Sequence, residues 1–212
     1  METKRLLSII NHVAVIISRY AYINLLWVAF VLLGGVIFGI MPATISMFTV
    51  IRKWLHQNSD DSIFQTFYYT YKQEFIKSNT LMAVLLVFAV LLYSNIAYAG
   101  LIRETSLYPF FLAITFIALS LYIILMLYIA PVYVHYQFTF KRYLAYSIHI
   151  GLANLLHTTA MVVSLLGFYY LSMKFPGIIL FFSFSVSASI VDFFAQFSFN
   201  NLQTQETTVK SA

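Results

Sequence analysis

The sequence contains no cysteine. Disulfides, thiolate metal sites, iron–sulfur clusters and thiol nucleophiles are therefore excluded, and cysteine usage says nothing about redox compartment. Charge is scarce as well. Only 9% of the 212 residues are Asp, Glu, Lys or Arg, against about 25% in ordinary soluble domains. That is too little charge to cover a water-soluble domain of this length. No run of Lys or Arg exceeds two residues, so a polynucleotide groove has no support and no nucleic-acid partner is expected.

What is present is apolar. Hydrophobic residues make up 61% of the chain and aromatic residues 18%, with 21 Phe and 16 Tyr. The solvent implied for most of the chain is lipid. The expected fold class is all-α, a polytopic transmembrane helix bundle of about five spans plus an amphipathic interfacial helix, in one domain over residues 1–202. The net charge of +5 sits in small basic groups at the ends of apolar runs, where it suits anionic lipid head groups.

A spanning helix needs roughly 20 apolar residues, because about 1.5 Å of rise per residue must cover a hydrocarbon core of about 30 Å. Stretches free of formal charge run between Arg19 and Arg52, Lys77 and Arg103, Glu104 and Lys141, Arg142 and Lys174, and Lys174 and Asp192. They predict spans near 22–41, 79–102, 110–130, 149–171 and 176–196. Pro42 closes the first and Pro131 the third, since proline removes a backbone donor. Pro109 and Pro176 suit first helical turns. Apolar character continues from Ala43 to Trp54, so a kinked continuation of the first span stays open.

Between the first two spans, Ser62 and Gln65 have capping-box spacing. Phe64, Phe67, Tyr71 and Phe75 then recur on one helical face. This predicts an amphipathic helix near 62–76 lying on the membrane surface; the alternative is a helix that caps the bundle. Residues 1–20 read as a retained lead-in helix, because Asn11 and His12 interrupt the apolar run and no cleavage pattern follows. Residues 203–212 read as a disordered polar tail. With five spans, Lys4, Arg5, Arg19, Arg103 and Lys174 share one side and the other seven basic residues the opposite side. That balance places the C-terminus in the cytoplasm and the N-terminus outside.

Two constellations stand out. Gly35 and Gly39 form a small-xxx-small pair, and Pro42 leaves the Phe38 carbonyl without its helical donor, for which Thr44 or Ser46 is the expected substitute. The element reads either as a hinge or as a tightly packed kink. The second is an intramembrane polar set. Asn154, His157 and Thr158 share a helix face, with His149 two turns before His157, and Ser185, Ser189 and Asp192 share another. A short connection at 174–177 makes those helices antiparallel neighbours, so His157 and Asp192 could pair; otherwise Asp192 is simply solvated at head-group level. An ionised Asp deep in hydrocarbon costs about 2.5–3.5 kcal/mol. No G-x-S-x-G or H-E-x-x-H motif occurs. No catalytic residue, cofactor or metal site is therefore expected.

The order of motifs carries a resemblance. Asn24-Leu25-Leu26-Trp27 opens the first span and Gly39-x-x-Pro42-Ala43-Thr44 follows. Arg52-Lys53-Trp54, Phe64-x-x-Phe67 and Tyr71-Lys72-Gln73-Glu74-Phe75-Ile76-Lys77-Ser78 come next, with Pro131 ahead of a basic loop. In this the chain resembles the YesL family of bacterial integral membrane proteins, a family of unknown function, over about residues 5–202. Glu74 departs from the pattern, where a neutral residue is expected. The resemblance implies a small multi-pass protein of the bacterial cell membrane. Family members are often encoded beside sugar-uptake ABC transporters, which implies an accessory role in carbohydrate uptake. The implied partners are the lipid bilayer and either a sugar transporter permease or a second copy. A transporter or channel subunit for a small solute is the alternative.

Overall fold

The computed structural model describes residues 2–56, 61–101 and 103–211. Among them lie seven helices and no strand: α1 (Glu2–Leu33), α2 (Ile37–His56), α3 (Ile63–Leu101), α4 (Tyr108–His135), α5 (Phe140–Ala153), α6 (Leu155–Lys174) and α7 (Pro176–Ser211). Five stretches are long and apolar enough to cross a bilayer, at Leu7–Leu33, Ile63–Leu101, Tyr108–His135, Leu155–Lys174 and Phe181–Leu202. The all-helical, membrane-spanning fold class is as the composition implies.

The first expected span is divided. α1 ends at Leu33, and the chain reverses through Gly34, Gly35 and Val36. The Val36 N–H donates to the Val31 carbonyl at 2.9 Å and the Gly35 N–H to the Leu32 carbonyl at 3.1 Å. With Gly35 at φ +71°, this is a Schellman cap with glycine at C′, the position that favours a residue without Cβ. Val36 follows at φ +64°, an uncommon conformation for a β-branched residue.

α2 then runs back along α1. The Tyr20 and Trp54 rings meet at 5.1 Å, and Trp27 Nε1 donates to Thr44 Oγ1 at 3.1 Å. α3 reverses again. Asn79 Nδ2 donates to the Phe38 carbonyl at 3.0 Å at one end, and Lys53 pairs with Asp61 at 3.1 Å at the other. α1 and α3 thus run in the same direction with α2 between them. α2 is the central helix: Met41, Ala43, Ile45, Met47, Phe48, Val50 and Ile51 are all buried, against α1, α3, α4 and α7.

Proline does not end helices here. Pro42 lies inside α2 and Pro131 inside α4, which runs on to His135. A proline withholds one donor, and a packed neighbour can supply the missing bond. The segment 62–76 is likewise no separate surface helix. It is the first part of α3, which continues to Leu101 because Lys77, Ser78 and Asn79 contain no helix breaker; Asn79 Nδ2 also bonds back to the Phe75 carbonyl at 2.8 Å. At 39 residues α3 is about 58 Å long, well beyond the hydrocarbon core. The fourth expected span is interrupted at Asn154, between α5 and α6, with φ −123° and ψ 52°. α7 starts at Pro176 as expected, but its helical backbone reaches Ser211 across the segment read as a disordered tail, where no proline or glycine interrupts it.

Candidate functional site

Gly39 is the point of closest approach. A methyl group added there would overlap the Val31 carbonyl oxygen and lie 2.7 Å from the Val31 Cα. One added at Gly34 would overlap the Gly39 Cα. A Cβ at Gly35 would meet nothing within 4 Å, so the close pair is Gly34 and Gly39, and Gly35 serves the turn. Pro42 frees the Phe38 carbonyl, and the donor that reaches it is Asn79 of α3 rather than Thr44 or Ser46. Those two hydroxyls bond to the Ile40 and Pro42 carbonyls of their own helix, at 2.7 and 2.8 Å.

The aromatic face of α3 packs inward. Phe30 of α1 lies 5.0 Å from Phe67, 4.9 Å from Tyr71 and 6.4 Å from Phe64, centroid to centroid, and Tyr71 lies 5.5 Å from Phe75. Tyr71 also donates its hydroxyl to the Phe30 carbonyl at 3.0 Å. Only Phe64 keeps much exposure on this face. Asn24 and Trp27 dock α1 elsewhere: Asn24 Oδ1 accepts the Phe184 and Ser185 N–H groups at 3.0 and 3.2 Å, and Trp27 stacks on Phe184 at 3.7 Å.

His157 stacks on Phe197, at 6.2 Å, five residues beyond Asp192 along α7. Asp192 is buried, only 2% exposed. The cross-helix polar bonds here run through Asn154 and Thr158. Asn154 Oδ1 accepts from Asn201 Nδ2 at 3.0 Å, and Tyr128 places its hydroxyl 2.9 Å from Thr158 Oγ1 and 3.2 Å from Ser198 Oγ. The α5–α6 break is thus lined by buried polar groups that satisfy one another.

A cleft of about 790 Å³ opens between α2, the first half of α3, the end of α4 and the start of α5. Its volume falls within the roughly 300–1,000 Å³ of small-molecule sites. Glu74 Oε2 accepts the Tyr133 hydroxyl at 2.6 Å across it. Tyr133 stacks on Tyr143 at 4.8 Å and Tyr136 on Phe138 at 5.0 Å. The Tyr143 hydroxyl donates to the Tyr136 carbonyl at 2.9 Å, fixing the 136–139 loop over the cleft. Thr49, Thr70, Gln73, Lys77, Thr80 and Gln137 complete the polar lining. Among the described residues, no group of three His, Cys, Asp or Glu side chains converges to hold a metal. Sequence reasoning missed this site, although Glu74 already stood out as the acid in an otherwise basic stretch.

Comparison with known proteins places the chain. A family described as "Protein of unknown function, DUF624" matches residues 20–96. Uncharacterized protein YesL of Bacillus subtilis is 30% identical over 203 residues, covering 96% of this chain and 95% of its own. The chain belongs to the YesL-like DUF624 family. Two further Bacillus subtilis relatives are similar to this DUF624 chain. Uncharacterized protein YesV is 35% identical over 190 residues, 89% of this chain and 90% of its own. Uncharacterized protein YteU is 36% identical over 176 residues, 80% and 76% respectively. No solved structure matches the chain. The DUF624 match spans the second half of α1, all of α2 and most of α3. It therefore takes in the glycine turn, Pro42, Asn79 and the Glu74 wall of the cleft.

Proposed function

We propose that this DUF624 chain is a non-enzymatic accessory protein of carbohydrate uptake in the bacterial cell membrane. It packs there against a sugar importer permease or a second copy of itself. The observation that carries the reading is the uncovered first half of α1. Leu7, Ile9, Ile10, Val13, Val15 and Ile17 are 43–65% exposed, an apolar helical surface that the described remainder of the chain leaves open. The small residues Gly34 and Gly39 are consumed inside the α1–α2 hairpin, so a partner would meet this α1 surface instead. Affinity purification from native membranes in mild detergent tests the reading. A second membrane protein or a dimer is expected, and recovery as a monomer alone would contradict it.

Sidedness belongs to the same proposal. With α2 running back beside α1 and α3, Arg5, Arg19, Arg52, Lys53, Lys72, Lys77, Lys141 and Arg142 fall toward one end of the bundle. Arg103 and Lys174 fall toward the other. Eight against two, with the terminal Lys4 and Lys210 set aside, is a stronger bias than the seven against five obtained over all twelve basic residues when α2 is counted as part of a loop. On the positive-inside rule this supports a cytoplasmic cleft end with both termini there, in place of the N-terminus-outside arrangement read from the sequence.

A second reading, a small-solute transporter or channel subunit, is favoured by the interrupted α5–α6 helix and its buried polar lining, since discontinuous helices build substrate sites in transporters. It expects Asp192→Asn or His157→Ala to change flux without changing expression. Flux in reconstituted vesicles equal to that of empty liposomes would reject it.

A further inference from the structure

We infer that the cleft between α3 and the 133–143 segment is a binding site for a small neutral ligand dense in hydroxyl groups, a mono- to oligosaccharide or a similar polyol. The inference rests on which polar groups are already engaged and which are not. Glu74 receives one bond, from Tyr133 to Oε2, and its other oxygen accepts none among the described residues. The side chains of Gln73, Lys77 and Gln137 make no hydrogen bond or ion pair among the described residues. Each primary amide offers two donors and an accepting oxygen, the ammonium three donors, and the free carboxylate oxygen only acceptor sites.

A ligand that matches this set must both donate and accept at closely spaced points, which is what vicinal hydroxyls do. A polycation would leave the amide and ammonium donors unmatched, and a polyanion would meet the Glu74 carboxylate. The two charged lining groups, Glu74 and Lys77, also cancel formally, so the wall favours neither sign. The apolar part of the lining combines Ile45, Ile76 and Val134 with aromatic rings, among them the Tyr133–Tyr143 and Tyr136–Phe138 pairs. Flat rings of this kind present an apolar face to the C–H face of a sugar ring, while the Tyr133 and Tyr143 hydroxyls are already held by Glu74 and the Tyr136 carbonyl. The Glu74–Tyr133 bond holds two of these groups in place before any ligand arrives, which lowers the ordering cost of binding.

The cleft would hold its ligand whether or not the chain has a membrane partner, so this test and the purification test fail separately. Isothermal titration of the detergent-purified full chain would use cellobiose, maltotriose and raffinose as neutral probes, with spermidine and inositol hexakisphosphate as charged ones. At least one neutral sugar is expected to bind at one site per chain. Gln73→Ala, Gln137→Ala and Glu74→Gln should each weaken it about three- to tenfold, the loss of one hydrogen bond. Gln73 and Gln137 are exposed, so their variants should melt at the parent temperature and keep the result interpretable. Binding of the charged probes alone, binding of no probe, or sugar binding that all three variants leave intact would each overturn the assignment.

Discussion

Two side-chain positions decide whether the α1–α2 hairpin can close. At Gly39 the added carbon of alanine meets backbone atoms of Val31 and Phe30, the latter's carbonyl oxygen at 2.9 Å, and backbone cannot step aside as a flexible side chain would. Gly39→Ala should therefore cost about 1–3 kcal/mol, the usual range for overpacking, and lower the melting temperature in detergent. At Asn79 one amide bridges two helices, donating to Phe38 across the gap left by Pro42 and to Phe75 in its own helix. Asn79→Ala leaves the Phe38 carbonyl without a partner, a loss of about 1–3 kcal/mol. Coupling can be read directly. Pro42→Ala restores a backbone N–H at that position, which can serve Phe38 again, so in this background the cost of Asn79→Ala should shrink. At this scale the sequence showed that Phe38 would need a donor but not which one. Asn79 lies 41 positions away, and only the reversal of α2 onto α3 brings it near.

Helix identity was legible wherever charge marks an end and illegible where it does not. Arg103 and Glu104 separate α3 from α4, and Lys174 precedes Pro176, so these boundaries could be read. Between Arg19 and Arg52 no charge occurs, because the turn at Gly34–Val36 is built from backbone hydrogen bonds and a positive φ rather than from polar side chains. Hydropathy runs straight through it. The reverse error arises at Lys72–Asn79, where charge and polarity suggested a boundary that the α3 backbone ignores. The cleft stayed hidden for the same reason as the hairpin: Glu74 was visible as an acid, but Tyr133 stands 59 positions away. Continuity of α3 has a direct test, made simpler by the absence of native cysteine. Spin labels at exposed Tyr69 and Tyr93 should be separated by about 36 Å along an unbroken helix, read by pulsed electron resonance. A distance well below 30 Å would mean a hinge near residue 78.

The whole molecule depends on the return path of α2. If α2 were only a loop helix between two spans, α1 and α3 would run in opposite directions and the termini would lie on opposite faces. Instead α1 and α3 run in the same direction, and under the proposed sidedness α4 and α7 return and the basic residues gather at the end that also holds the cleft. The cysteine-free chain allows each end to be marked singly, with Ser8→Cys near the N-terminus, Asn201→Cys near the end of α7, and Thr105→Cys between α3 and α4. Labelling intact bacterial cells with a membrane-impermeant maleimide should modify Thr105→Cys, and modify Ser8→Cys and Asn201→Cys only after permeabilisation. Modification of Ser8→Cys on intact cells while Asn201→Cys stays protected would contradict the account.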